Sequence, residues 1–340
     1  METIIFDQQL EQAVEALKQG EVVSFPTETV YGLGANALDE SAVKKVFAVK
    51  GRPSDNPLIV HVYDFDQVKP FIQTKHPLAE KIVEQFWPGP LTLIFEIKPE
   101  SLPKVVTGGL STAAFRMPNH PVTLELLRQA QLPLVGPSAN TSGKPSPTSS
   151  AHVYHDLKGK IKGIVEGGQS QIGVESTVLD LSNPNLPPMI LRPGAITKEM
   201  LEATLGLEVL IDQHLVKESE TPKAPGMKYK HYSPDTPVMM VAPKDLLHAV
   251  RHFGKENYRL GVMATPSQIA LIKDQVQTCF AYEDEKVQSA AKGLFSGLRQ
   301  LDEQSPKLDL ILVVTFENKG LGMAYMNRLK KAAVQKIYQA

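Results

Sequence analysis

Three groups of residues combine the side chains and spacing that a polar, anionic ligand would require. The first is Phe25-Pro26-Thr27-Glu28-Thr29-Val30-Tyr31-Gly32-Leu33-Gly34, where hydroxyls, a carboxylate and glycines follow the apolar run Val22–Phe25. A short apolar run reads as a buried strand, and polar side chains leaving a strand end line a cleft more often than they fill a core. The second is Lys50-Gly51-Arg52-Pro53-Ser54-Asp55-Asn56-Pro57, followed by a strand ending near His61. Lys50 and Arg52 at a helix end complement the helix dipole. Beside Pro53, Asn56 and Pro57 they equally suit a rigid anion cradle, and the planar fork of Arg52 suits bidentate phosphate contact. The third is Ser138-Ala139-Asn140-Thr141-Ser142-Gly143. Its small polar residues fit an ordinary turn or an array of hydroxyls and backbone N–H groups facing phosphates.

Single residues add to these. Arg116 ends the strand Ser111–Arg116 in an apolar neighbourhood. A buried arginine needs a partner, which is either an internal carboxylate or the carboxylate of a ligand. His61, taken alone, reads as a core histidine, Thr29 as a turn hydroxyl, and Glu28 as a capping or structural carboxylate rather than a base.

Three familiar signatures fail. Gly32-Leu33-Gly34-Ala35-Asn36-Ala37 fits a loose G-x-G-x-x-A, but six residues separate Phe25 from Gly32, and the dinucleotide fingerprint needs a tight strand-to-helix turn. Gly143-Lys144-Pro145 resembles the end of a Walker motif, yet Pro145 stands where the magnesium-binding hydroxyl belongs. No H-E-x-x-H occurs. An ATP site in this chain is of another type.

The elements that must position these groups are legible in part. Asp7 to Gly20 reads as an amphipathic helix, with Leu10, Ala13, Val14 and Leu17 on one stripe. Asp39 to Lys50 repeats that logic, with Val43, Val46 and Phe47 inward and Gly51 as the stop. Leu58–Val62, Leu91–Ile97 and Leu134-Val135 read as strands, Pro77–Trp87 and the stretch around Leu124–Ala130 as helices. Their irregular alternation predicts a twisted, mixed α/β sheet. Lys217 to Pro237 carries four prolines and many charges without periodicity, the composition of a linker. Beyond it, strands near Val238–Val241, Leu260–Met263, Thr278–Ala281 and Leu308–Val314 alternate with helices. That rhythm predicts a smaller, parallel, Rossmann-like α/β domain. The resulting division is 1–212, a linker at 213–237, and 238–340.

Composition narrows the function. At 340 residues the length favours two domains. A formal charge of −1 gives no global attraction to nucleic acid. Cys279 is the single cysteine, which excludes an internal disulfide and a cysteine-based zinc site and fits a reducing cytoplasm. The N-terminus lacks the basic flank and apolar run of a signal peptide. No stretch approaches the roughly 20 apolar residues of a membrane span.

PTETVYGLG (26–34), KGRPSDNPL (50–58) with His61, SANTSGKPSPT (138–148), GVESTVLD (173–180) and LRPG (191–194) together resemble the YrdC-like family. The tail, with GLGMAYMNRL at 320–329, resembles the two-domain members, the L-threonylcarbamoyladenylate synthases. The resemblance implies the YrdC-like sheet as the catalytic domain. It also implies synthesis of threonylcarbamoyl-AMP from L-threonine, bicarbonate and ATP, with pyrophosphate released and magnesium brought by the ATP rather than by a protein metal site. The product would pass to a transferase that modifies the tRNA adenosine beside the anticodon. By the same resemblance Lys50 and Arg52 are the catalytic cations, and Thr29, His61, Arg116, Ser138 and Ser176 contact threonine. Lys50, Arg52, Asn56, Thr112, Ser138, Ser146, Arg192 and Tyr232 contact ATP. Tyr232 lies in Pro225–Pro234, two tyrosines among basic groups, which would fold over the cleft as a lid.

Three other functions compete. A nucleic-acid-binding module would use Lys44, Lys45, Lys50 and Arg52, but near-neutral charge and the lack of interleaved aromatics leave at most a weak tRNA contact. A carbamoyl transferase of the hydrogenase-maturation type would carry cysteine-rich zinc modules, which a single cysteine excludes. A regulatory nucleotide-binding domain would keep the motifs without turnover.

Overall fold

The computed structural model describes residues 2–7, 10–212, 222–223 and 231–340. The chain forms two compact units. The first comprises Met1–Ser142, Pro147–Gln171 and Glu175–Tyr229; the second comprises Gly143–Ser146, Ile172–Val174 and Lys230–Ala340. Of the segment 213–237 read as a linker, 213–221 and 224–230 lie outside the described residues.

The first unit is built on one mixed sheet. In chain order its strands are β1 (Ile4–Phe6), β2 (Val23–Phe25), β3 (Gly32–Asn36), β4 (Ile59–His61), β5 (Leu91–Glu96), β6 (Thr112–Arg116), β7 (Leu134–Val135), β8 (Gly163–Val165), β9 (Thr177–Asp180), β10 (Met189–Arg192) and β11 (Leu210–Ile211). They run in the spatial order β1-β8-β2-β3-β7-β4-β6-β5-β9-β10-β11, with parallel and antiparallel pairs intermixed. The helices are α1 (Leu10–Lys18), α2 (Glu40–Lys50), α3 (Ala79–Phe86), α4 (Lys104–Thr107), α5 (Pro121–Ala130), α6 (Ser150–Leu157) and α7 (Lys198–Leu205). The expected twisted, mixed α/β sheet is present.

Local chemistry sets the elements nearest the polar clusters. Asp39 caps α2, its carboxylate accepting from the backbone N–H groups of Ser41 and Ala42. Gly51 ends the helix at φ 62°, and the Arg52 N–H returns to the Phe47 carbonyl. Val43, Val46 and Phe47 face the core, so Lys50 and Arg52 leave the helix end together. Gly32 and Gly34 lie in β3, antiparallel to β2, and not in a strand-to-helix turn. A Cβ on Gly32 would stand 2.7 Å from the Phe25 ring, and one on Gly34 would stand 2.9 Å from it. These glycines let the Phe25 ring approach β3 more closely than any side chain would allow.

The alternation of strand side chains divides the sheet into two faces. Val60, Leu93, Phe95, Ala113, Phe115 and Leu179 enter the main core with α2. On the other face α1 and α5 cover Val23, Phe25 and Val165. Farther along that second face sits a small apolar patch of Ile59, Ile94, Ala114 and Val178, with Leu191 against it.

The second unit has strands β12 (Val238–Val241), β13 (Leu260–Ala264), β14 (Thr278–Ala281) and β15 (Leu310–Val314), all parallel, in the order β12-β15-β13-β14. Helices α8 (Leu246–Lys255), α9 (Pro266–Ile272), α10 (Val287–Asp302) and α11 (Leu321–Ala332) complete it, as the strand–helix rhythm predicts. Arg299 of α10 donates to the Pro145 carbonyl at 2.6 Å, and the Ser233 N–H donates to the Gly143 carbonyl at 2.9 Å. These bonds fasten residues 143–146 within this unit. Among the described residues no helix is long and apolar enough to cross a membrane.

The differences from expectation are at element ends and in short strands. The first helix is described from Leu10 rather than Asp7, with residues 8–9 not described. The helix expected at Pro77–Trp87 spans Ala79–Phe86, and β15 begins at Leu310 rather than Leu308.

At Gly194 an added Cβ would lie 2.2 Å from the Thr177 backbone nitrogen and 2.6 Å from the Ser176 carbonyl carbon. Backbone cannot yield as a flexible side chain can. Gly194→Ala should therefore destabilise the protein by about 1–3 kcal/mol in urea unfolding; an unchanged midpoint and slope would contradict this packing.

Candidate functional site

The site is built on the thinly covered sheet face. Thr112, Ala114 and Arg116 point there by period two, while Ala113 and Phe115 point into the core. Register then fixes the neighbours. His61 of β4 lies opposite Arg116 on one side; Thr92 of β5 lies opposite Arg116 on the other, and Glu96 lies opposite Thr112. An open groove of about 1400 Å³ runs along this face, lined among others by Glu96, Thr112, Asp180, Met189 and Leu191.

Arg116 is the charged centre, nearly inaccessible to solvent. Its Nη1 donates to Thr29 Oγ1 at 2.9 Å and its Nε to the Gly89 carbonyl at 3.3 Å. Its Nη2 lies 2.7 Å from Glu28 Oε2. Thr29 is fixed in turn by the Thr27 hydroxyl at 2.8 Å, and Thr27 donates to the Val30 carbonyl at 2.6 Å. Thr92 continues the network to Ser176, 2.8 Å between hydroxyls. Arg192 donates to Ser176 Oγ at 3.1 Å and to its carbonyl at 3.0 Å. An irregularity between Ile190 and Arg192 brings Arg192 opposite Val178 of β9. The structure thus bonds Thr29 to Arg116 in one buried group and Ser176 to Arg192 and Thr92 in another, with His61 and Thr92 opposite Arg116 in the sheet register and Thr112 farther along the same strand face.

The cationic loop is organised by carbonyls. Lys50, buried, donates to the backbone oxygens of Ser138 and Asn140, the latter at 2.7 Å. It ties the end of α2 to the loop after β7, and Ser142 N–H returns to the Lys50 carbonyl. Ser138 itself bridges to Gly32. Arg52 Nη2 donates to the carbonyls of Asn56 and Pro57 at 3.3 and 3.1 Å. This folds the loop into a hairpin around its guanidinium. Asn56 is buried with its Oδ1 lacking a hydrogen bond, an acceptor held in place without a protein donor.

Burial sets the protonation of the histidines. His61 is enclosed against the Phe25 ring, centroids 5.2 Å apart, and beneath Gly136, where a Cβ would come within 2.5 Å of its Nδ1. Desolvation, reinforced by the positive charge of Arg116, lowers its pKa to about 3. It is therefore a neutral imidazole near pH 7. Burial lowers the pKa of His120 as well. Tyr31 is pushed above its ordinary value by burial and by Glu166.

Ser146 and Tyr232 belong to the second unit. Ser146 is buried. Tyr232 packs on Phe295 with centroids 5.2 Å apart and has φ 64°. The lid expected at Pro225–Pro234 lies mostly outside the described residues.

Sequence reasoning missed Thr92, Thr27 and the Gly89 carbonyl, and it read Glu28 as a capping or structural carboxylate without placing it against Arg116. Thr92 had a signal, being a polar residue inside the apolar strand Leu91–Phe95. Glu28 had none, since a carboxylate after a strand looks like any turn residue. Among the described residues no group of three or more His, Cys, Asp or Glu is placed to hold a metal ion.

Comparison with known proteins adds to this geometry. A family profile described as "Telomere recombination" matches residues 15–194, and one described as "Threonylcarbamoyl-AMP synthase, C-terminal domain" matches residues 196–334. The chain is 46% identical over 330 residues to the threonylcarbamoyl-AMP synthase of Bacillus subtilis (strain 168), covering 96% of this chain and 93% of that one. It is 46% identical over 328 residues to the threonylcarbamoyl-AMP synthase of Pyrococcus abyssi (strain GE5 / Orsay), covering 94% and 93%. The crystal structure of P. abyssi Sua5 complexed with L-threonine superposes with a TM-score of 0.91 at 42% identity, over 99% of this chain and 100% of that one.

The His61 environment has a thermodynamic consequence. Its folded pKa, about 3, lies below the unfolded value of 6.5. The unfolded chain thus binds the extra proton first. The stabilisation is complete above about pH 6.5 and is lost as pH falls toward 3, by up to about 1.4 kcal/mol per pH unit. Chemical unfolding from pH 7 to 4 should show a shallower loss in His61→Gln than in the unaltered protein. Parallel curves would contradict a buried, neutral His61.

Proposed function

Since this chain belongs to the Sua5/YrdC family, and over 96% of its length to the threonylcarbamoyl-AMP synthases, we propose how its residues divide the synthase reaction. The enzyme joins L-threonine, bicarbonate and ATP into threonylcarbamoyl-AMP, releasing pyrophosphate and water. The observation that carries the assignment of the site is the buried Arg116 guanidinium, held by Thr29 and Gly89 at the end of a strand that also bears Thr112.

Arg116 binds the threonine carboxylate, a natural bidentate partner. Thr29, Ser138 and Ser176 orient the amino acid with their hydroxyls, and neutral His61 closes the pocket beside Arg116. Arg52 and Asn56 hold ATP phosphates, and Lys50 adds positive charge at the loop of Ser138 and Asn140. Thr112 and Arg192 complete the nucleotide contacts made by the first unit.

The threonine amine and bicarbonate first form an N-carboxylate. Its oxygen then attacks the α-phosphorus of ATP, and pyrophosphate leaves. The substrate supplies its own nucleophile, so the protein contributes position and charge neutralisation rather than a covalent intermediate. A magnesium ion would be carried by the triphosphate oxygens and would offset their charge; the neutral and cationic side chains at Arg52 and Asn56 suit a metal-bound phosphate better than a bare ion.

The wider assignment is also a proposal. Residues 1–212 form the catalytic domain and 238–340 a second domain, with 213–237 connecting them. The prolines and charges of that connector support this reading. The product is handed in the cytoplasm to a tRNA threonylcarbamoyltransferase, with a weak tRNA contact of this enzyme's own.

Pyrophosphate release from ATP and magnesium, with threonine and bicarbonate omitted in turn, tests the reaction. Release requiring both, with a product of threonylcarbamoyl-AMP mass, is expected. Release from ATP that is indifferent to either, or no release by folded protein that binds ATP, would contradict it.

A further inference from the structure

Glu28 is buried to more than nine-tenths, and neither of its carboxylate oxygens makes a hydrogen bond. Oε2 stands 2.7 Å from Arg116 Nη2, yet the two are not aligned as donor and acceptor, and Nη2 also makes no hydrogen bond. The other two Arg116 nitrogens are used, Nη1 by Thr29 and Nε by the Gly89 carbonyl. Nearby His120 places Nε2 3.3 Å from the Gly167 carbonyl, while its Nδ1 has no hydrogen-bond partner. Burial lowers its pKa, so it brings no full positive charge toward Glu28 at neutral pH.

A buried ion pair is stable when its remaining donors and acceptors are satisfied. This pair has its charges close together and its hydrogen-bonding capacity unspent. A carboxylate offers about four acceptor positions, and leaving them all unmet in the interior is costly. A purely structural partner for Arg116 would have settled into the bidentate alignment that guanidinium and carboxylate favour.

The ligand that fits such a pair is a zwitterion. An anion placed on Arg116 by itself would set two carboxylates against one guanidinium. An α-amino acid instead adds one charge of each sign, so the alternation continues and the net charge of the pocket is unchanged. We propose that Glu28 is the ammonium-binding residue of this site. The amino acid carboxylate takes Arg116 and its α-ammonium takes Glu28, which selects α-amino acids over α-hydroxy acids of the same shape. This inference rests on Arg116 as the carboxylate site, and it adds the group that discriminates at the nitrogen from which the carbamate is later formed.

Calorimetric titration of the full-length protein tests it with two probes, L-threonine and the 2,3-dihydroxybutanoate of matching configuration, in which a hydroxyl replaces the ammonium. The unaltered protein should prefer threonine by about tenfold or more. Glu28→Gln should lose about tenfold in threonine affinity while holding the dihydroxy acid as well or better. Glu28→Asp, which keeps the charge, should keep the preference. A Glu28→Gln protein that retains the full preference, or that loses both ligands equally, would overturn the assignment. Should Glu28→Gln fail to fold, the other two proteins decide: equal binding of the two probes by the unaltered protein, or no preference in Glu28→Asp, overturns it. Binding of neither probe by the unaltered protein would instead overturn the Arg116 reading, and this inference with it.

Discussion

A guanidinium charge buried at the end of a strand organises the first unit. Arg116 reaches the interior beside an apolar patch of Ile59, Ile94, Ala114 and Val178, where an unpaired charge would cost several kcal/mol. Every element near it supplies compensation. The turn after β2 brings Glu28 and Thr29, and the bend before β5 brings the Gly89 carbonyl, while Thr92, opposite Arg116 in the register, bonds to Ser176 and through it to Arg192. Burial keeps His61 neutral, and the same charge reinforces it. A site assembled this way is preorganised, because its polar groups are oriented by one another before any ligand arrives.

The sheet makes this economical. On β6 the residues alternate so that Ala113 and Phe115 anchor the main core while Thr112 and Arg116 lie on the opposite face, Thr112 lining the groove and Arg116 buried. The strand that stabilises the fold is therefore also the strand that carries the candidate site, and its two faces share one backbone register. A slip of one residue would bury Thr112 and expose Phe115, so fold and site are specified together. The cationic loop obeys a related constraint: the caps of α2 at Asp39 and Gly51 fix where Lys50 and Arg52 leave the helix.

Legibility followed the length of the pattern. The caps and apolar stripe of α2 could be read directly, as could the strand–helix alternation after residue 238, because each spans many residues and repeats. Strands of two or three residues such as β8 and β11 are shorter than any period, and the placement of β8 between β1 and β2 is a long-range pairing that no local signal encodes. At the site, residue types alone left Lys50 between a dipole complement and an anion cradle. The structure shows its ammonium on the carbonyls of Ser138 and Asn140, a contact set by the fold of a loop about 90 residues away in sequence. Glu28 and Thr92 acquired meaning only through register and turn geometry, which bring them against Arg116. The threonine and nucleotide roles came from the resemblance of whole motifs, not from periodicity or composition.

A crystal structure of this protein with L-threonine bound tests most directly whether the buried charge is the organising feature of the site. The account predicts the threonine carboxylate within hydrogen-bonding distance of the Arg116 guanidinium, with the hydroxyls of Thr29 and Ser176 beside the ligand. Threonine bound elsewhere, with Arg116 still engaged only by Glu28, Thr29 and Gly89, would contradict it.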